Sequence, residues 1–203
     1  MRRFIVLLAL SLVLAGTAAA QAEPWNIDGA HSAATFAVRH FGVATVRGSF
    51  TKITGTILID DKEISNSSVD VSIDATTVNT QNEGRDKHLR SADFFDVEKF
   101  PAMTFKSRKV ERAGAGRLRI TGDFTLHGVT KEVVLDVEGP TPPFNMGRGI
   151  KRGASATTRI NRRDYGLVWG NLVEGVAAVG DEVSITIDLE LNKPRPAAAP
   201  SGN

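Results

Sequence analysis

Apolar and polar residues alternate from Arg117 to Leu126: Leu118, Ile120, Phe124 and Leu126 are apolar, and Arg117, Arg119, Thr121, Asp123 and Thr125 are polar. A strand sends successive side chains to opposite faces, so this pattern predicts one buried face and one wet face. Glu182 to Leu191 repeats it, with Val183, Ile185, Ile187, Leu189 and Leu191 against Glu182, Ser184, Thr186, Asp188 and Glu190. Val69, Val71 and Ile73 alternate with Asp70, Ser72 and Asp74, and Val133, Leu135 and Val137 with Glu132, Asp136 and Glu138. Further strands are predicted over Thr35–His40, Ser49–Asp60, Ala102–Val110 and Gly153–Ile160, about eight in all. One-sided polarity favours antiparallel pairing, because parallel sheets are covered on both faces. Turns fall at Asp60-Asp61-Lys62, Ala113-Gly114-Ala115-Gly116 and His127-Gly128-Val129, the last a hairpin with glycine free to take positive φ. Such strands either stack as two sheets or close into a barrel, which removes exposed edges. Periodicity leaves that choice open.

The alternation fails between Thr80 and Phe105. Thr80 with Glu83 fits a capping box, so a short helix is predicted to begin there. Glu83, Arg85, Asp86, Lys87, His88 and Arg90 leave Leu89 as its one obvious core residue. These charges, with Asp93, are expected to form a solvated face of i,i+3 and i,i+4 pairs. Phe94, Phe95, Val97 and Phe100 follow, and Pro101 forces its predecessor into an extended conformation, so a strand starts at Ala102. The segment reads as a charged lid with an aromatic hinge.

The ends of the chain are of a different kind. Arg2 and Arg3, the apolar run Phe4 to Leu14 and small residues up to Ala22 match a cleavable secretory signal peptide over residues 1–22. That run is shorter than the ~20 apolar residues a membrane-spanning helix needs, so the product is expected not to span the membrane. With no cysteine, neither a disulfide nor a lipid on cysteine is available. Losing Arg2 and Arg3 leaves basic and acidic residues equal in number, which disfavours a nucleic-acid partner. Residues 23–193 suit one domain. Residues 194–203, PRPAAAPSGN, hold nothing bulky to bury and are expected to form a disordered tail.

The strings WNIDGAHSAATFAVRHFGVATVRGSF, RDKHLRSADFFDVEKFPAMTF and ITGDFTLHGVTKEVVLDV, in this order and spacing, together resemble the YceI-like family of bacterial periplasmic polyisoprenoid-binding proteins, from about Trp25 to Lys193. The resemblance implies an all-β fold: an extended eight-stranded antiparallel barrel of lipocalin type, with a short helical lid between strands. It also implies a periplasmic binding protein that holds an isoprenoid quinone, a polyprenyl chain or a fatty-acid-like ligand for transport, storage or sequestration. No cofactor is implied beyond that ligand, and a homodimer is left open. Nothing is transferred to Phe144–Lys151 or to the tail.

The residues support a lipid ligand on their own terms. Phe36, Val38, Phe50, Val71, Ile73, Phe105, Phe124, Leu126, Leu135 and Ile160 fall on inward positions and would line an apolar lumen. A buried methylene is worth about 0.8 kcal/mol, so a five-carbon unit contributes roughly 3–4 kcal/mol before association and ordering costs. The same side chains would equally pack against one another. Small inward residues, Gly122, Ala154 and Ala156, favour a cavity. Counting by twos puts His40 inward at its strand end, where it would meet a ligand head group or sit as a satisfied core histidine. Phe94 and Phe95 in the hinge and Trp169 in RRDYGLVWGN complete the candidate ligand-binding set, and Tyr165 is a further candidate for the mouth.

His31, His40, His88 and His127 lack metal-ligand spacing, so no metal is expected; His127 belongs to its turn and His31 to a surface connection beside Asp28. The chain has no G-x-S-x-G elbow, cysteine nucleophile or phosphate loop, so an enzyme is not expected. The alternatives are a stress-related partner-binding module with a packed core and, further off, a small hydrolase.

Overall fold

The computed structural model describes residues 21–147, 149–170, 172–173 and 175–194. The expected signal peptide and tail lie outside these residues except for their innermost positions. The strands are β1 (Glu23–Ile27), β2 (Ala33–His40), β3 (Ala44–Phe50), β4 (Ile53–Ile59), β5 (Ser68–Asp74), β6 (Val78–Asn79), β7 (Ala102–Gly114), β8 (Arg117–Leu126), β9 (Val129–Glu138), β10 (Phe144–Asn145), β11 (Gly149–Asn161), β12 (Leu172–Val173), β13 (Val176–Ala177) and β14 (Val179–Pro194). Helix α1 (Glu83–Arg90) lies between β6 and β7.

The sheet runs β11-β9-β8-β7-β5-β4-β1-β14, and β14 pairs back onto β11, closing an eight-stranded antiparallel barrel. Closure rests on the length of β14. One edge of it pairs with β11 from Glu182 to Pro194; the other takes β2 over Val179–Asp188 and β1 at Leu191–Asn192. Strands β1 and β2 thus follow one another along β14, interrupted at Asp28–Ser32, and β3 and β4 run beside them, interrupted at Thr51–Lys52. The single strand expected over Ser49–Asp60 is therefore two: β3 ends at Phe50 and β4 begins at Ile53. Strand β1 and most of β3 were not expected from the pattern, because EPWNI is too short to show alternation and ATVRGSF carries Gly48 beneath a ring. A Cβ at Gly48 would lie 2.5 Å from the Phe36 ring.

The β8–β9 hairpin forms as expected. Leu126 pairs with Val129, and His127 and Gly128 take φ of 51° and 75°, positive values at both central positions that match the twist of the flanking strands. Glycine is required twice over at 128, since a Cβ would also meet the Phe100 ring at 2.6 Å. On β7, Phe105 points inward as expected, with Met103 on the same face, but a bulge between Ser107 and Lys109 changes the parity and brings Val110 inside. The Ser107 hydroxyl accepts from the Val69 amide at 2.9 Å.

Helix α1 corrects two expectations. Its N-cap is Asn82, whose side chain accepts from the Arg85 amide at 2.9 Å, rather than Thr80. Asp86 is buried rather than solvated: its carboxylate accepts from the Thr80 amide at 2.8 Å and from the Thr80 hydroxyl. Thr80 is unavailable as a cap because its side chain already serves Asp86 and the Arg85 Nε.

Candidate functional site

The barrel encloses a cavity of about 550 Å³. Its wall contains the inward alternation of nearly every long strand, including Phe36 and Val38 of β2, Phe50 of β3, Val71 and Ile73 of β5, Phe105 of β7, Phe124 and Leu126 of β8, Leu135 of β9 and Ile160 of β11. Val183, Ile185, Ile187 and Leu189 of β14 also line it and are only half-buried, whereas Leu118 and Ile120 across the barrel are buried. Half-burial of apolar side chains on the inner face means that they border open space. Side chains of β7 and β8 line the same cavity, so the hollow spans the barrel, and its wall is least covered along β14. Ala154 and Ala156 line it too, as expected of small residues that leave room. Gly122 does not enlarge it: a Cβ there would lie 2.6 Å from the Phe105 ring, so Phe105 occupies the place a side chain would take.

One end is covered by the lid. Gly84, Arg85, His88 and Leu89 of α1 line the lumen from above, with Phe94 and Phe95. His88, Phe94 and Trp169 form a cluster with ring centroids 4.9–5.1 Å apart, tying the lid to the segment after β11. His88 Nε2 is 2.8 Å from Asp93 Oδ2. Phe95 packs edge-on against Phe50 at 5.5 Å. His40 lines the lumen at the rim and is exposed, its ring 4.4 Å from that of Phe41; it is not a core histidine. All of the candidate ligand-binding residues therefore face one cavity. Tyr165 does not stand at the mouth: it is 2% exposed and packs edge-on against Phe124 at 5.6 Å, and burial raises its phenol pKa.

Two buried arginines that were not singled out from the sequence stand at the two ends. Arg152 shares the inward parity of Ala154 and Ala156 on β11, and this parity was the available signal. It lies at the base, 5.0 Å over the Trp25 ring, and makes two 2.8 Å bonds to Asp61. Arg162, two residues beyond Ile160, sits in the 3-10 turn Arg162–Tyr165 at the lid end. It donates to the carbonyls of Leu167, Trp169, Val179 and Gly180 and to Asp181, pinning the Trp169 segment to the start of β14. Desolvation lowers its pKa.

The wall is otherwise apolar, with Thr35, Ser67 and Thr158 as its neutral polar side chains. Its charged or imidazole groups, Arg39, His40, Arg85, His88 and Arg162, gather at the lid end, and among the described residues no carboxylate lines it. Outside the barrel, Asp28, His31 and Glu190 approach one another closely enough to suggest a cation site. Lys151 bonds both carboxylates there, so an ammonium already supplies the positive charge. His127 lies in its turn, its Nδ1 3.3 Å from the Tyr165 carbonyl. Such a site can hold and shield an apolar chain and meet a polar head at one end.

Comparison with known proteins places this arrangement. The sequence matches the YceI-like domain over residues 25–191. It is 37% identical over 167 residues to a UPF0312 protein of Vibrio parahaemolyticus, covering 81% of this chain and 88% of that protein. The crystal structure of a YceI protein of Campylobacter jejuni, 30% identical, superposes with a TM-score of 0.67 over 77% of this chain and 90% of that one. A polyisoprenoid binding domain from Saccharophagus degradans, implicated in plant cell wall breakdown, shares the fold at 16% identity, with a TM-score of 0.60 over 84% of this chain and 98% of that one.

Proposed function

The chain belongs to the YceI-like family, and from that premise we propose that it is a non-catalytic binding protein that holds a polyisoprenoid or another long-chain, lipid-like molecule in the barrel. The observation that carries this reading is the continuous apolar hollow inside the barrel, about 550 Å³ in volume, within the range of small-molecule sites. An interior evolved only for stability would be filled, because voids forfeit dispersion contacts. Charged and imidazole groups gathered at the lid end suit an amphiphile with its chain inward and its head at the lid. Phe36, Val38, Phe50, Val71, Ile73, Leu135 and Ile160 would meet the chain, and His40, His88 and Trp169 the head. The signal-peptide pattern supports a periplasmic location, where such a protein would transport, store or sequester its ligand.

Native mass spectrometry of freshly purified protein, with solvent extraction and identification of what is released, tests the reading. A stoichiometric apolar molecule is expected. Its absence, together with no uptake of added geranylgeraniol, would sink the proposal in favour of a partner-binding module. Sequencing of the exported product is expected to find it beginning at Gln21 or Glu23.

A further inference from the structure

Five of the eight large apolar side chains that stand exposed among the described residues gather at the lid end. Val43, at the tip of the β2–β3 turn, is 80% exposed; Val168, Leu172 and Val176, between the 3-10 turn and β14, are 60%, 72% and 45% exposed; Trp169 is 37% exposed. The two parts adjoin, since the Phe41 amide donates to the Ala178 carbonyl at 3.1 Å and His40 pairs with Val179. Trp169 belongs both to this rim and to the lumen wall. The barrel's outer wall is different in character, carrying cross-strand ion pairs such as Arg108–Asp123 and Arg159–Glu182.

Single exposed apolar residues are ordinary, but a group of them around the mouth of an apolar cavity marks a surface that something apolar covers. The cargo indicates what. A long hydrocarbon chain is too poorly soluble to cross water freely, so it must pass where the mouth meets an apolar phase. We propose that this rim docks the mouth onto the surface of a lipid bilayer, so that the chain moves between membrane and lumen without crossing water. The proposal rests on the lumen reading above. Trp169 suits the interface, where an indole keeps its ring in the apolar layer and its N–H near the head groups. Arg39 adds charge complementarity: bonded to the Gly42 carbonyl and the Thr45 hydroxyl at the same turn, it has no carboxylate partner among the described residues and would face anionic head groups.

Flotation of stripped protein with phosphatidylethanolamine–phosphatidylglycerol vesicles tests this, using wild type and the double variant Val43→Asp, Leu172→Asp. Neither residue lines the lumen. Wild type is expected to float with the vesicles, and the variant's bound fraction to fall at least tenfold, with transfer of geranylgeraniol from vesicles slowed in proportion. Loading of the same alcohol from cyclodextrin, read by native mass spectrometry, should be equal in both proteins, as should their melting temperatures. Equal flotation of the two proteins, or none by wild type, would overturn the docking. A wild-type dimer that the variant dissolves, without vesicle binding, would assign the rim to a second copy of this chain. Failure of cyclodextrin loading alongside rim-dependent flotation would remove the lumen reading and leave the docking standing.

Discussion

Phe124 stands between packed core and cavity, against Tyr165 on one side and the lumen on the other. Truncation to alanine removes its contacts and adds volume, which costs about 3–5 kcal/mol in a core that cannot collapse. A bound chain can spread into that volume, so Phe124→Ala is expected to cost the stripped protein more than the loaded one, as urea unfolding of both forms would show. At the outer wall, the Asn192 amide, with His31, the Ala30 amide and Lys151, holds the Asp28 carboxyl well below the usual carboxylate range. A depressed folded pKa gives stability that is present above the unfolded value of about 3.9 and is lost as pH falls through the folded one. Thermal unfolding between pH 7 and pH 2 should therefore show a decline below about pH 4 in wild type. Asp28→Asn should begin less stable at pH 7 and decline less steeply; parallel curves would remove Asp28 from the acid response.

At the scale of the element, the lid depends on one buried carboxylate. Asp86 holds α1 to Thr80 by two hydrogen bonds, and Arg85 reinforces the same residue through its hydroxyl and carbonyl. Hydrogen bonds to a charged group are worth about 1.5–3 kcal/mol each. Asp86→Ala is therefore expected to speed amide hydrogen exchange across Glu83–Arg90 by about tenfold or more, given that 1.4 kcal/mol is a factor of ten. Exchange in the barrel strands should change little, because the wall does not use this anchor. Uniform acceleration throughout the chain would instead make Asp86 a determinant of global stability. The helix itself was legible in its polar run and in Pro101 beyond it. Its anchoring was not, because Thr80-x-x-Glu83 resembles a capping box whether or not the hydroxyl has a stronger partner elsewhere.

For the whole molecule, closure and hollowness together bear on function. A barrel with open space inside lacks dispersion contacts that a ligand restores, and a ligand that binds only the folded state stabilises it by mass action. At a hundredfold excess over Kd this is about 2.7 kcal/mol, or roughly 5–10 °C in Tm for a domain of this size. Differential scanning calorimetry of loaded and exhaustively extracted protein should show that gap. Coincident transitions, with nothing apolar recovered in the extract, would mean that the lumen holds no stabilising ligand.

The alternation of Leu118 to Leu126 and of Val183 to Leu191 settled, from sequence alone, which faces of those strands are inward, because a period of two is imposed by the backbone of a single strand. His127-Gly128 likewise announced its hairpin, since the turn requires positive φ within a few residues. Arg152, Arg162 and Asp86 were harder to place. A charge on an alternating strand or a polar helix ordinarily faces water, and burial becomes tolerable only once the folded backbone turns partners towards it, Asp61 for Arg152, the carbonyls of Leu167 and Val179 for Arg162 and Thr80 for Asp86. The bulge on β7 and the break between β3 and β4 also arose from pairing with neighbouring strands. Above all, whether the inward side chains meet or stand apart depends on the circumference of the closed sheet and on which rings, such as Phe105 over Gly122, fill it. Periodicity assigns a face; the volume that face encloses is decided only when β14 pairs with β11.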